Sequence, residues 1–205
     1  MIVPYIDDDD VHCRAELFLR TYHPSYSCPV PIEEIAEAGL DLFILPSKEL
    51  ERACEVDGSI SKDFKTILID EYVYMKQEIR ARFTIAHEVG HLILHKKLFE
   101  ENRKTGSVED FVAFQNSLSF RDWQRLEIQA YRFGEEILFP KKRFIEVVEN
   151  ELVRLGGLDS LTITDLQTLG DTIKKVFFVS SSASLNKLRR EFPLIVEKAQ
   201  SNIPF

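Results

Sequence analysis

The chain has 205 residues, 44% of them hydrophobic, with 26 Lys and Arg against 34 Asp and Glu. That length and apolar content suit a packed core in one domain, or one domain with a small appendage, and exclude disordered and fibrous architectures. A formal net charge of −8 argues against a protein whose main task is to neutralise phosphates, so direct nucleic-acid binding is not expected.

The opening residues, MIVPYIDDDD, combine neither a basic segment nor an apolar run of the kind that directs export. No later stretch approaches the ~20 apolar residues of a spanning helix, so a soluble, reducing, cytoplasmic setting with no membrane partner is expected. Cys13, Cys28 and Cys54 lie far apart without a CxxC pair, which predicts idle thiols in place of disulfides or a thiolate metal knot. The run Asp7–Asp10 lacks the alternating ligands and the glycine of a calcium loop. It reads as the acidic start of a helix from Asp8 to about Tyr22, because acids are favoured at a helix's positive end.

A short helix over Pro31–Ala38 follows, with proline in its first turn and Gly39 at its end. The periodicity then changes. Leu42–Leu45, Glu55–Ser61 around an Asp57-Gly58 turn, and Thr66–Ile69 read as three short strands, the last two as hairpin partners or close neighbours. Helices are expected from about Gln77 to Lys97, from Arg121 to Phe139 before Pro140, and from Lys142 to Leu155 before Gly156-Gly157. In the tail, Thr164 with Gln167 resembles a capping box and Ser181–Arg190 a last helix. Strands first and helices after give an α+β fold, with residues 1–150 as the main domain and residues 151–205 as a helical extension packed on it. The polar stretch from Lys96 to Leu126, with a short helix after Ser107, reads as a connection that Phe111, Phe114 and Phe120 anchor to the core.

The chemistry lies in the helix around RFTIAHEVGHLILH. His87, Glu88 and His91 form HExxH, which puts two imidazoles one turn apart on one helical face, where they can share a tetrahedral metal. Phe83, Ile85, Ala86, Val89, Gly90 and Leu92 make the helix apolar round most of its circumference, which predicts burial on several sides. Thr84, His87, Glu88, His91 and His95 then form one polar stripe on a buried rod, and such a stripe needs partners. His95 stands eight residues beyond His87, roughly 12 Å along the axis at ~1.5 Å per residue, too far to bind the same ion. It reads as a helix-end or cleft-rim residue. The longer metzincin motif would need Gly at position 94 and His at position 97, where the chain has Leu94 and Lys97.

A catalytic zinc takes three protein ligands and leaves one position open, so a third ligand is required. In LEIQAYRFGEEILFP, Glu127 heads a small-residue face with Ala130 and Gly134 that suits close helix packing, and it is the best candidate. Glu135 and Glu136 read as solvated charges on the outer face, and Asp122 as a first-turn acid. With zinc in place the pKa of its water would fall toward ~7, and Glu88 would accept the water's proton and pass it to the leaving amine. Tyr131 and His95 are candidates for stabilising the oxyanion.

These blocks resemble the ImmA/IrrE family of metallo-endopeptidases. The matching pieces are VDGSI, TILID, RFTIAHEVGHLILH, EIQAYRFGEEILFP and TITDLQTLGDTIKKVFFVSSSASLNKLRR, over roughly residues 30 to 190, with Tyr131 and Gly134 where the family often has Asn and Ala. The resemblance implies a small zincin-like (gluzincin-like) fold with a three-stranded sheet, an HExxH helix and further helices. It also implies His87, His91 and Glu127 as zinc ligands, Glu88 as general base, and a helix-turn-helix repressor of the phage type as the protein substrate. The competing reading rests on the tail, where two helices around Val179-Ser180 look like a helix-turn-helix. They would make the chain a DNA- or protein-binding regulator with a structural zinc site. Residues 151–205 hold seven basic and six acidic side chains, too even a balance for a phosphate-binding surface.

Overall fold

The computed structural model describes residues 2–48, 50, 56–102 and 108–202, with the backbone alone for residues 108–112. Cys54, Glu55 and the side chain of Phe111 therefore lie outside the described residues. Contacts divide the molecule into two compact units. One takes the described residues up to Tyr26 and from Val30 to Leu138; the other takes Ser27–Pro29 and the described residues from Phe139 onward.

The first unit opens with α1 (Asp8–Tyr22), started as its acids predict: Asp7 is the N-cap, accepting from the Asp10 N–H at 2.8 Å. Next comes α2 (Ile32–Glu34), which widens into a π-helical turn over Ile35–Gly39. Among the described residues the sheet has three strands, β1 (Phe43–Ser47), β2 (Gly58–Ile60) and β3 (Thr66–Asp70), in the order β1-β3-β2. β3 pairs parallel with β1 and antiparallel with β2, with Ser59 opposite Leu68. Its Ile67 and Ile69 are fully buried. The Asp57-Gly58 pair is no turn, since Gly58 is the first residue of β2.

A helix that the sequence reading does not contain, α3 (Glu71–Lys76), starts directly after β3. The Asp70 carboxylate caps it by accepting from the Tyr72 and Val73 N–H groups, at 3.0 and 3.2 Å. The long helix α4 (Glu78–Asn102) is buried on several sides, through Ile85, Ala86, Val89 and Gly90. α5 (Val108–Ser117) and α6 (Phe120–Leu138) complete this unit. Phe114 is buried as expected, whereas Phe120 is exposed and anchors nothing.

α4 and α6 approach backbone to backbone. A Cβ added at Gly90 would lie 2.7 Å from the Ala130 carbonyl oxygen, and one at Gly134 would lie 3.1 Å from the His87 nitrogen. The small-residue face headed by Glu127 is therefore the contact face, tightest at Gly90, where a Cβ would run into backbone, and less tight at Gly134. α1 packs on the same helix through Phe18, whose ring meets Phe133 edge-on at 5.7 Å.

The second unit holds α7 (Lys141–Arg154), α8 (Ile163–Phe177), α9 (Ser181–Glu191) and α10 (Pro193–Ser201). Its centre is aromatic: Phe139 lies 5.6 Å from Phe144 and 5.3 Å from Phe177. The capping box that opens α8 is Thr162 with Asp165, two residues earlier than the sequence suggests. Thr162 alone has the extended backbone of a cap, while Thr164 is already helical. α10 lies beyond the last helix read from the sequence. It begins at Pro193, a residue favoured at a first helical position. No helix among the described residues is long and apolar enough to cross a membrane.

Candidate active site

One cleft of about 350 Å³ lies between β2, α4 and the first turns of α6. Gly58 sets its floor. A Cβ there would meet the Thr84 methyl at 2.4 Å, so glycine lets β2 settle onto α4. β2 is tied to the start of α4 by a two-pronged ion pair: Arg80 donates from Nε and Nη2 to the two carboxylate oxygens of Asp57, each at 2.6 Å.

The HExxH residues face this cleft from α4, and Glu127 faces it from α6. His87 Nε2 lies 3.0 Å from His91 Nε2. The Glu127 carboxylate closes the triangle, with Oε2 3.2 Å from His87 Nε2 and Oε1 3.6 Å from His91 Nε2. Donors ~2.0–2.1 Å from a tetrahedral zinc stand ~3.3 Å from one another, so the spacing and the two-nitrogen, one-oxygen chemistry both fit that ion. Potential ligand atoms of His87, Glu88 and His91 also lie within 4.8 Å of one another. Glu88 is turned to another task, since its Oε2 accepts the Ile60 N–H of β2 at 2.8 Å. That bond holds a buried carboxylate beside the imidazole pair.

Burial alone would lower the pKa of His87. Its hydrogen bond to Glu127 and the charges of Glu88 and Glu127 outweigh this and raise it above the ordinary 6.5. Two imidazole nitrogens and a carboxylate this close need a proton or a cation among them.

His95 is not a rim residue, for it is 3% exposed and lies behind His91. The two Nδ1 atoms are 3.1 Å apart, and His95 Nε2 is 2.9 Å from Gln129 Oε1. Burial pushes the His95 pKa down to about 4, against the pull of Gln129 and Glu127, so the ring is neutral near pH 7. The ring of Phe99, one turn further along α4, stacks on His91 at 5.5 Å.

Tyr131 is not among the described residues that line the cleft, and its ring packs on Phe83 at 5.0 Å. Neither candidate for oxyanion stabilisation thus faces the opening. Glu135 and Glu136 are not outer-face charges either. Glu135 is buried within 3.5 Å of Arg132, and Glu136 meets His12 Nδ1 at 2.9 Å. α1 covers the side of α6 that carries Glu136, which the sequence of α6 alone does not reveal. Asp122 does stand in the first turn of α6, where it accepts from Ser119 Oγ at 2.6 Å.

Sequence reading missed Gln129, Phe99 and the Ile60 N–H. Gln129 had a signal in its i+2 spacing from Glu127 within the E-x-Q-A block. The other two depend on which strand and which ring the fold brings up. The signature described as the IrrE N-terminal-like domain of the Peptidase_M78 family matches residues 55–189. No curated protein matches the chain.

Proposed function

This chain belongs to the Peptidase_M78 family, and on that premise we propose that it is a zinc-dependent endopeptidase with His87, His91 and Glu127 as metal ligands and Glu88 as general base. The observation that carries the reading is the triangle of His87 Nε2, His91 Nε2 and a Glu127 oxygen at 3.0, 3.2 and 3.6 Å, with Glu88 beside it but bonded to β2.

Zinc in that triangle supplies Lewis-acid chemistry, polarising a scissile carbonyl and acidifying water. The protein's own groups do the rest. Glu88 takes the proton of the attacking water and returns it to the leaving amine. The Ile60 N–H fixes the carboxylate for that transfer, so its position does not depend on substrate. Phe83, Trp123 and Leu126 give the cleft apolar walls, which exclude water and strengthen the electrostatics within.

The substrate on this reading is a cytoplasmic helix-turn-helix repressor of the phage type, cleaved to relieve repression. The motif resemblance supports that assignment. The alternative, a DNA- or protein-binding regulator with a structural zinc, rests on α8 and α9. Two of its five basic residues are engaged within α9, since Lys187 is 1% exposed and lies 3.2 Å from Glu191, which also faces Arg190. A structural zinc would also need no general base beside it, and Glu88 would then serve only to tie α4 to β2.

Purified protein should hold about one zinc per chain, and His87→Ala, His91→Ala or Glu127→Ala should each lose most of it. Glu88→Gln should keep zinc, stability and repressor binding, while cleavage of a co-expressed repressor falls by roughly 10²- to 10⁴-fold. Undiminished cleavage by Glu88→Gln would refute the mechanism. Operator binding by a wild type that cleaves nothing would favour the regulator.

A further inference from the structure

A chain of hydrogen bonds runs away from the cleft, from His91 through His95 and Gln129 to the main chain of Pro4. Its direction can be read from the end inward. The Pro4 carbonyl only accepts, so the Gln129 group at 3.0 Å from it is the amide nitrogen, donating. The amide oxygen of Gln129 must then face His95 Nε2, and because that oxygen only accepts, His95 Nε2 carries the proton. Among the described residues no carboxylate is hydrogen-bonded to His95, and a neutral ring protonated on Nε2 keeps its lone pair on Nδ1. At 3.1 Å from that bare nitrogen, His91 Nδ1 has to be the donor. The lone pair of neutral His91 is left on Nε2, which points at His87 and Glu127.

We infer that His95 and Gln129 are positioning residues whose hydrogen bonds fix the tautomer of His91, presenting its Nε2 lone pair for metal before any metal arrives. His91, His95 and Gln129 are each 5% exposed or less, so water cannot substitute for a missing partner. The far anchor is itself held: Val3 donates its N–H to Asp122 Oδ1 at 3.2 Å, and Arg125 Nη1 donates to the Val3 carbonyl at 2.7 Å. Asp122, Arg125 and Gln129 recur at i, i+3 and i+7, one face of α6. The segment that holds this end of the chain is thus bound to the helix that carries Glu127. The inference rests on the reading of His91 as a ligand, and partners behind ligating imidazoles set both tautomer and affinity.

The test starts with metal-free wild-type protein labelled with ¹⁵N at histidine. Long-range ¹⁵N–¹H spectra at neutral pH should show His95 protonated on Nε2 and His91 protonated on Nδ1. The opposite tautomer at His91 overturns the inference. Zinc affinity by chelator competition supplies the second reading. His95→Leu, which removes the acceptor, should bind zinc roughly 10- to 100-fold more weakly, whereas His95→Asn, whose amide oxygen can replace Nδ1, should stay within a few-fold of wild type. Wild-type affinity in His95→Leu, or an equal loss in both variants, overturns the inference. Should His95→Leu fail to fold, the wild-type spectrum decides alone. A wild type that takes up no zinc defeats the ligand reading itself, while a wrong tautomer in a zinc-binding wild type defeats only this inference.

Discussion

Replacing Gly90 by alanine probes whether the crossing of α4 and α6 sets the metal geometry. Two effects oppose each other. Alanine is the better helix former by about 1 kcal/mol, which favours the variant. The new Cβ, however, would lie 2.7 Å from the Ala130 oxygen and 3.0 Å from its Cα, where ordinary contact begins at 3.4 Å. The helices must separate by 3.4 − 2.7 = 0.7 Å, and both atoms met are backbone, which cannot rotate away. Overpacking of this kind costs about 1–3 kcal/mol, and against rigid backbone the cost lies in the upper part of that range, so the net effect is about 1–2 kcal/mol destabilising. At ~2–4 °C per kcal/mol for a chain of this size, Tm should fall by several degrees.

Glu127 precedes Ala130 by one turn and moves with it. Because metal sites tolerate ~0.2 Å in donor position, zinc affinity should fall together with Tm. Gly134→Ala needs only 3.4 − 3.1 = 0.3 Å and should be milder on both counts. Calorimetry of the metal-free proteins and chelator competition measure the two effects. A Gly90→Ala protein that melts and binds zinc like wild type, or one less affected than Gly134→Ala, would refute the reasoning.

Gly58→Ala tests the other wall of the cleft. With its Cβ 2.4 Å from the Thr84 methyl, β2 should lift from α4 and withdraw the Ile60 N–H from Glu88, so the cleavage rate should drop while zinc content is retained. Zinc loss in step with activity would contradict this division of labour. In the second unit, Thr162→Ala should cost about 1 kcal/mol in thermal melts and Thr164→Ala clearly less, the reverse of what a cap at Thr164 would produce. The Thr162 hydroxyl and N–H hold the Asp165 carboxyl below its ordinary 3.8, so this contribution is present above that pH and lost as pH falls through the lowered value. Asp165→Asn should flatten that part of the pH–stability curve.

What the residues determined by themselves is local. The spacing of His87 and His91 places two imidazoles on one face by helical geometry alone, and the Asp7–Asp10 run and Pro193 obey end rules that need no distant partner. Long periodic helices such as α4 and α6 were legible within a few residues, because a 3.6-residue period persists over several turns. Glu127 could be singled out because its face is lined with small residues. Even so, its distance to the histidines exists only once Gly90 and Gly134 let two backbones touch.

Short elements were less legible. α3 is six residues long, with too few turns to show a period, and Asp57-Gly58 has the composition of a turn although Gly58 pairs in β2. Tertiary structure alone decided the rest. His95 looked like a rim residue because axial distance from His87 was measured, whereas its partner is His91, one turn away, and its far side is closed by Gln129 from another helix. Glu136 looked solvated because the covering of α6 by α1 is a contact between residues more than 100 positions apart. Burial and partner identity are properties of surfaces that meet, and a periodic pattern records only that a face needs covering, not which face covers it.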